Sequence, residues 1–194
     1  MDTANDTWAS TIILFLDVDG VLATSRCLLF DFEDDGRDAT LYFSSKDPFI
    51  PLEVDRLRIL EWIVKATGAK IVLSSTWRLE PSMRAFLLQA FEAHGIPAQT
   101  VIGDTPSRAD GRGSEIKEWL HSQPASSVIR YVIFDDQHDQ NILLHHPVEC
   151  FFKTILPHRE DAAQEGLTWP LAHRAREFLT STAMLIPAAA AGNV

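Results

Sequence analysis

LFLDVDGVL, residues 14–22, places two carboxylates one residue apart, at the end of an apolar run and directly before a glycine. Ile12 to Leu16 and Val18 surround Asp17 and Asp19. The run from Thr11 to Leu16 reads as a strand buried on both faces, as in a parallel sheet. Strand side chains alternate, so Asp17 and Asp19 start on the same side, and Gly20 lets the chain turn sharply. A lone Asp here would read as a helix cap or an Asx-turn. Two like charges this close repel unless one is protonated or a cation lies between them.

Working outward, apolar periodicity predicts helices over Leu52–Thr67 (ending at Gly68), Pro81–His94, Ser114–His121 and Trp169–Leu179. Strands are expected at Lys70–Leu73, Gln99–Ile102, Val128–Phe134 and Glu149–Lys153. His145-His146 precedes Pro147 and is read as loop. Strands alternating with helices imply α/β architecture: a Rossmann-like open parallel sheet with helices on both faces. Sites in such sheets lie at the carboxyl ends of the strands.

Ser74-Ser75-Thr76-Trp77-Arg78 follows the strand at Lys70–Leu73. Its hydroxyls and amides suit either an anion grip or an ordinary capped turn. Arg112, between Gly111 and Gly113, stands at a helix start, where a cation opposes the helix dipole. A fixed anion in front of it would remove that conflict. Lys117, the competing basic residue, lies inside the helix and is expected to face solvent. After the strand at Val128–Phe134 come Asp135, Asp136 and, beyond Gln137-His138, Asp139. Acids converging on one sheet edge call for a hard divalent cation with oxygen ligands, and Mg²⁺ fits such a site beside a phosphate oxygen. The parts suit phosphoryl transfer through an aspartyl-phosphate. One Asp attacks, another moves the proton, and a hydroxyl and a basic group hold the phosphoryl.

These residues resemble the motifs of the haloacid dehalogenase (HAD) superfamily of phosphohydrolases. DVDGV is similar to its first motif and Ser74 to its second. Arg112 takes the place of the third, where Lys is usual, and Asp135-Asp136 resembles the fourth. The resemblance runs from Thr11 to about Leu179 and implies Asp17 as nucleophile and Asp19 as acid–base. It implies Ser74 and Arg112 as phosphoryl-holding groups, and a Mg²⁺ site formed by Asp17, Asp19, Asp135 and Asp136. Asp136 is expected to be the direct ligand of the last pair, with Asp135 or Asp139 supporting. Gly20, Ser75, Thr76, Trp77 and Arg78 complete the expected substrate contacts. Arg for Lys keeps the charge, but a planar guanidinium holds phosphate in two places. LSSTWR (73–78), RGSEIKEWL (112–120), FDD (134–136) and GLT (166–168) are similar to the HAD domains associated with Swiss-army-knife RNA repair proteins. That likeness implies phosphate removal from nucleic-acid ends.

Such enzymes often carry a cap after the first motif. Here residues 23–51 leave room only for a small flap, read as a hairpin with Asp34-Asp35-Gly36 near its turn. Residues 1–10 are expected as an N-terminal extension, 11–180 as the domain, and 181–194 as a frayed tail. The open site suits bulky or polymeric phosphorylated substrates, and the expected partner is a phosphorylated small molecule, nucleotide or nucleic-acid end. The acidic run 31–38 is read as a solvated hairpin tip. Arg78, Arg84 and Arg108 form a small basic rim, and Trp77 is read either as core or as a stacking surface for a base. His138, between the acids, is the one histidine placed to reach a leaving group.

Composition narrows the partners. The 194 residues carry a formal net charge of −10, so no general field attracts nucleic acid or an anionic membrane. Two distant cysteines, Cys27 and Cys150, form neither a disulfide framework nor a zinc pattern, and the N-terminus lacks the basic start of a secretory signal. The uncharged stretch 178–194 falls short of the ~20 apolar residues a spanning helix needs. A cytoplasmic enzyme is expected. The alternatives are a receiver-like module that accepts a phosphoryl group on Asp, and an inactive phosphate-binding protein. D-x-D-G differs from the adjacent acidic pair of receivers, and binding alone does not need Asp19.

Overall fold

The computed structural model describes residues 11–24, 27, 41–42, 51–124, 128–137, 140–154 and 166–181. β1 (Thr11–Leu16) is the middle strand of a five-stranded sheet. Beside it on one side lie β4 (Lys70–Leu73) and then β5 (Val101–Asp104). On the other side lie β6 (Val128–Asp135) and then β7 (Phe151–Lys153). Every pairing is parallel, as the apolar strands imply. A separate two-stranded antiparallel ladder joins β2 (Leu41–Tyr42) to β3 (Leu52–Glu53).

The strand period decides which layer each residue feeds. Leu14 and Leu16 enter the larger apolar cluster. They meet there residues of α1 (Val54–Thr67), α2 (Pro81–Ala93) and α5 (Trp169–Thr180). Ile13 and Phe15 point the other way, to Ile116 and Trp119 of α3 (Arg112–Ser122) and Ile142 of α4 (Gln140–His145). All four β1 side chains are fully buried, each stabilising the fold by about 1.5–3 kcal/mol. The chain steps from β1 through β4 to β5 over one face, then crosses back to β6 and β7 over the other. Right-handed crossovers require this change of face when the direction reverses. The reversal falls at β1, so the carboxyl end of β1 is the switch point of the sheet.

Element edges moved where the tertiary structure competes. α1 starts at Val54 rather than Leu52, because Leu52 and Glu53 pair with Tyr42 and Leu41. It ends as expected, with Gly68 at φ 67° donating its N–H to the Val64 carbonyl. β5 begins at Val101 after a 3₁₀ turn at Ala98–Thr100. β7 begins at Phe151 after another 3₁₀ turn at Val148–Cys150. α3 starts two residues early, at Arg112. α4 corrects the loop expected around His145: six residues are too short for periodicity to register. The N-terminal extension, the Asp34–Gly36 hairpin tip and the tail beyond Ser181 lie outside the described residues. No described helix is long and apolar enough to cross a membrane.

Candidate active site

The strand ends at the switch point bring distant carboxylates together. Asp17 continues the β1–β6 ladder by one residue, its N–H donating to the Phe134 carbonyl at 3.0 Å. Its side chain is buried, and Oδ1 accepts the Val18 N–H at 2.8 Å. Asp135, the last residue of β6, is 0% exposed. Its Oδ1 accepts the Gln137 N–H at 2.9 Å. Carboxylate oxygens of Asp17, Asp135 and Asp136 lie within 4.8 Å of one another. Gly20 makes this approach possible. Its φ is +67°, and a Cβ there would fall 2.4 Å from Asp136 Oδ2.

Arg112 reaches into this group from the start of α3. Nη1 donates to Asp135 Oδ2 at 2.8 Å and stands 3.2 Å from Asp17 Oδ2. It is also 3.5 Å from the Ser74 hydroxyl, at the end of β4. Nε lies 3.6 Å from Glu115 Oε2. Burial lowers the Arg112 pKa, but the charges of Asp17, Asp135 and Glu115 outweigh it and raise it. These acids are the fixed anions that reconcile a cation with a helix N-terminus. Arg112 lines a cleft of about 230 Å³ together with Thr76, Arg78, Leu79, Ser107 and Gln137.

The charges do not balance. Burial, followed by the neighbouring Asp17 charge, pushes the carboxyl groups of both Asp135 and Asp136 above the usual range. Three carboxylates face one Arg112 guanidinium, since the Glu115 carboxylate is paired with Arg78 at 3.0 Å. With all three ionised the excess would be two negative charges, which a divalent cation would offset. The donors are all oxygens, so the set fits Mg²⁺.

Asp19 turns a different way. It lies outside the carboxylate group, because its Oδ2 turns to accept the Trp77 indole N–H at 3.0 Å. Desolvation by the surrounding protein raises its pKa, the Trp77 bond opposes this, and the Asp17 charge adds to the rise. Trp77 is 2% exposed, so it offers no stacking face and instead orients Asp19. Ser75 is buried, with its hydroxyl accepting the Trp77 N–H at 3.3 Å as a cap. Thr76 is exposed beside the cleft.

Arg78 is engaged from within the protein. Its Nε donates to Thr105 O at 2.8 Å, Nη1 to Ser74 O at 3.0 Å and to Ser75 O at 2.6 Å. Nη2 donates to Pro106 O at 2.9 Å and to Glu115 Oε2 at 3.0 Å. Four donors bind backbone carbonyls and the fifth binds Glu115 on α3, so all five are engaged within the protein. Arg84 pairs with Asp104 at 3.0 Å and Arg108 pairs with Glu118, so the expected basic rim is largely neutralised. His138 and Asp139 lie outside the described residues.

Two participants escaped the sequence reading. Glu115 binds both Arg78 and Arg112. Its signal, an acid three residues after a helix-start Arg, was visible but had an ordinary surface explanation. His146, after α4, is buried, and its Nε2–H donates to the Gly113 carbonyl at 2.8 Å. Nδ1 then accepts from the Tyr131 hydroxyl at 3.1 Å. Burial drives the His146 pKa down to about 4.

The family model described as "HAD domain in Swiss Army Knife RNA repair proteins" matches residues 13–160, which include every site residue named above. No curated protein and no solved structure matches the chain significantly.

Proposed function

Because the chain belongs to the family of HAD domains found in Swiss Army Knife RNA repair proteins, we propose that it is a Mg²⁺-dependent phosphomonoester hydrolase working through Asp17. Membership supports phosphohydrolase-type chemistry. The observation that carries the finer reading is the convergence of Asp17, Asp135 and Asp136 around the Arg112 guanidinium at the switch point.

In this reading Asp17 attacks phosphorus, and the bond to the leaving oxygen breaks as Asp19, protonated at the start, delivers its proton there. The raised Asp19 pKa supports that role, and Trp77 aims the carboxyl. Asp17 then carries the phosphoryl group. Asp19, now ionised, takes a proton from water as the water oxygen attacks phosphorus. The bond to Asp17 breaks and inorganic phosphate forms. Arg112 Nη2 and the Ser74 hydroxyl hold phosphoryl oxygens during both transfers. Mg²⁺ bound by Asp17, Asp135 and Asp136 would neutralise the charge that otherwise keeps a phosphate away from three carboxylates.

The substrate class we propose is a phosphorylated nucleotide or nucleic-acid end, handled in a cytoplasmic setting. Its support is the family's link to RNA repair and the cleft beside Arg112. The test is hydrolysis of an aryl phosphate with and without Mg²⁺, followed by 3′- and 5′-phosphorylated oligonucleotides. Mg²⁺-dependent release should fall about 10⁴-fold or more in Asp17→Asn. Retained turnover in that variant would remove the mechanism, and a stable phosphoprotein without turnover would point to a receiver-like module.

A further inference from the structure

We propose that Asn141, on α4, is the positioning residue that sets where Arg112 stands among the carboxylates. The observation is a two-handed grip. Asn141 Oδ1 accepts the Gly113 N–H at 2.6 Å, and its Nδ2 donates to the Asp110 carbonyl at 2.6 Å. One amide thus holds the backbone on both sides of Arg112.

The surroundings are shaped to admit it. Gly111 precedes α3 at φ 103° and supplies no side-chain cap. The first turn of a helix has N–H groups that need acceptors, and Asn141 provides one from another element. A Cβ on Gly111 would lie 2.9 Å from Asn141 Oδ1, and a Cβ on Gly113 would lie 2.3 Å from the Asn141 carbonyl oxygen. The glycines flanking Arg112 therefore leave room for α4 to press against the start of α3. The His146 bond to the Gly113 carbonyl fixes the same residue from its other polar group.

Position 111 cannot supply a side-chain cap itself, because φ 103° with ψ 178° is a conformation essentially confined to glycine, so the acceptor has to come from another element. Asn141 stands five residues after Asp136 in the chain. Its grip links the segment carrying the acids to the helix carrying the base. This sets the distance between Arg112 and Asp135, 2.8 Å at Nη1, and between Arg112 and Asp17, 3.2 Å. Displacements near 1 Å at a reacting centre cost about 10²-fold in rate, so a brace here has catalytic consequence.

The kinetic arm of the test rests on the phosphohydrolase reading, and the first arm does not. The first arm reads hydrogen exchange at the arginine Nε–H groups by NMR, with Arg112 assigned through Arg112→Lys. Arg112 and Arg78 are both buried, and their Nε–H exchange rates in the wild type set the reference. In Asn141→Ala the Arg112 signal should exchange about tenfold faster through local opening, while Arg78 stays within about twofold. Leu144→Ala, 77% exposed on the same helix, should change neither. Equal acceleration of both arginines, or of neither, overturns the proposal. In the second arm, kcat falls about tenfold in Asn141→Ala, and that loss vanishes in an Arg112→Ala background because Asn141 acts through Arg112. A loss that persists there overturns it. Absence of turnover in the wild type would count against the phosphohydrolase reading alone, with the exchange arm still deciding the proposal about Asn141.

Discussion

Arg78 and Arg112 are both buried, stand at adjacent strand ends, and share Glu115. Arg78 spends its donors on neutral carbonyls from Ser74, Ser75, Thr105 and Pro106. Arg112 faces ionisable acids from two strands, in a cleft that both arginines line. A guanidinium whose fork is filled by backbone carbonyls is a fixed strut. One surrounded by charges that change during a reaction can take part in it. The same residue type, after neighbouring strands, thus serves architecture in one place and is assigned chemistry in the other.

The sharpest way to break this comparison is Arg78→Ala. It orphans four carbonyls and leaves Glu115 with weaker compensation, and should destabilise the fold by about 3–5 kcal/mol, read as a lowered urea midpoint. If turnover per folded molecule collapsed while the midpoint held, the strut assignment would be wrong. Next is Arg112→Lys, which keeps the charge and loses the fork. We expect kcat to fall about 10²-fold, about 2.7 kcal/mol, with a smaller change in midpoint than Arg78→Ala. Similar midpoint losses in the two variants would erase the distinction.

The smallest effect concerns His146, which braces the start of α3 as a neutral ring. In the unfolded chain it takes a proton near 6.5, but in the folded chain only near 4. Between those values the unfolded state binds more protons, so stability rises with pH across the window and is lost as pH falls through it. Urea titrations from pH 7 to pH 4 should therefore show a shallower acid loss in His146→Gln than in wild type. An identical slope would mean that the ring already accepts its proton in the folded state.

Much of this arrangement was legible beforehand, because the signals were local. A strand buried on both faces must be apolar throughout, which made β1, β4 and β6 visible. Asp17, Ser74, Arg112 and Asp135 could be placed together because a doubly wound sheet has one favoured edge for a site. Trp77 and Arg78 were assigned to the substrate on neighbourhood alone. Their side chains turn inward, to Asp19 and to the loop carbonyls. Position next to a motif does not tell which way a side chain points.

What the sequence determined by itself was the α/β class, the strand ends where acids and Arg112 converge, and the excess of acid over base there. Hydrophobic period, glycine position and charge are properties of the chain before it folds. Only the tertiary structure decided which arginine is a strut, that Asp19 leaves the carboxylate group for Trp77, and that α4 grips the glycines around Arg112. Those outcomes depend on partners that lie tens of residues away in sequence, such as Asp19 and Trp77 or Gly113 and Asn141. Which of several competing donors reaches a given acceptor is settled by packing.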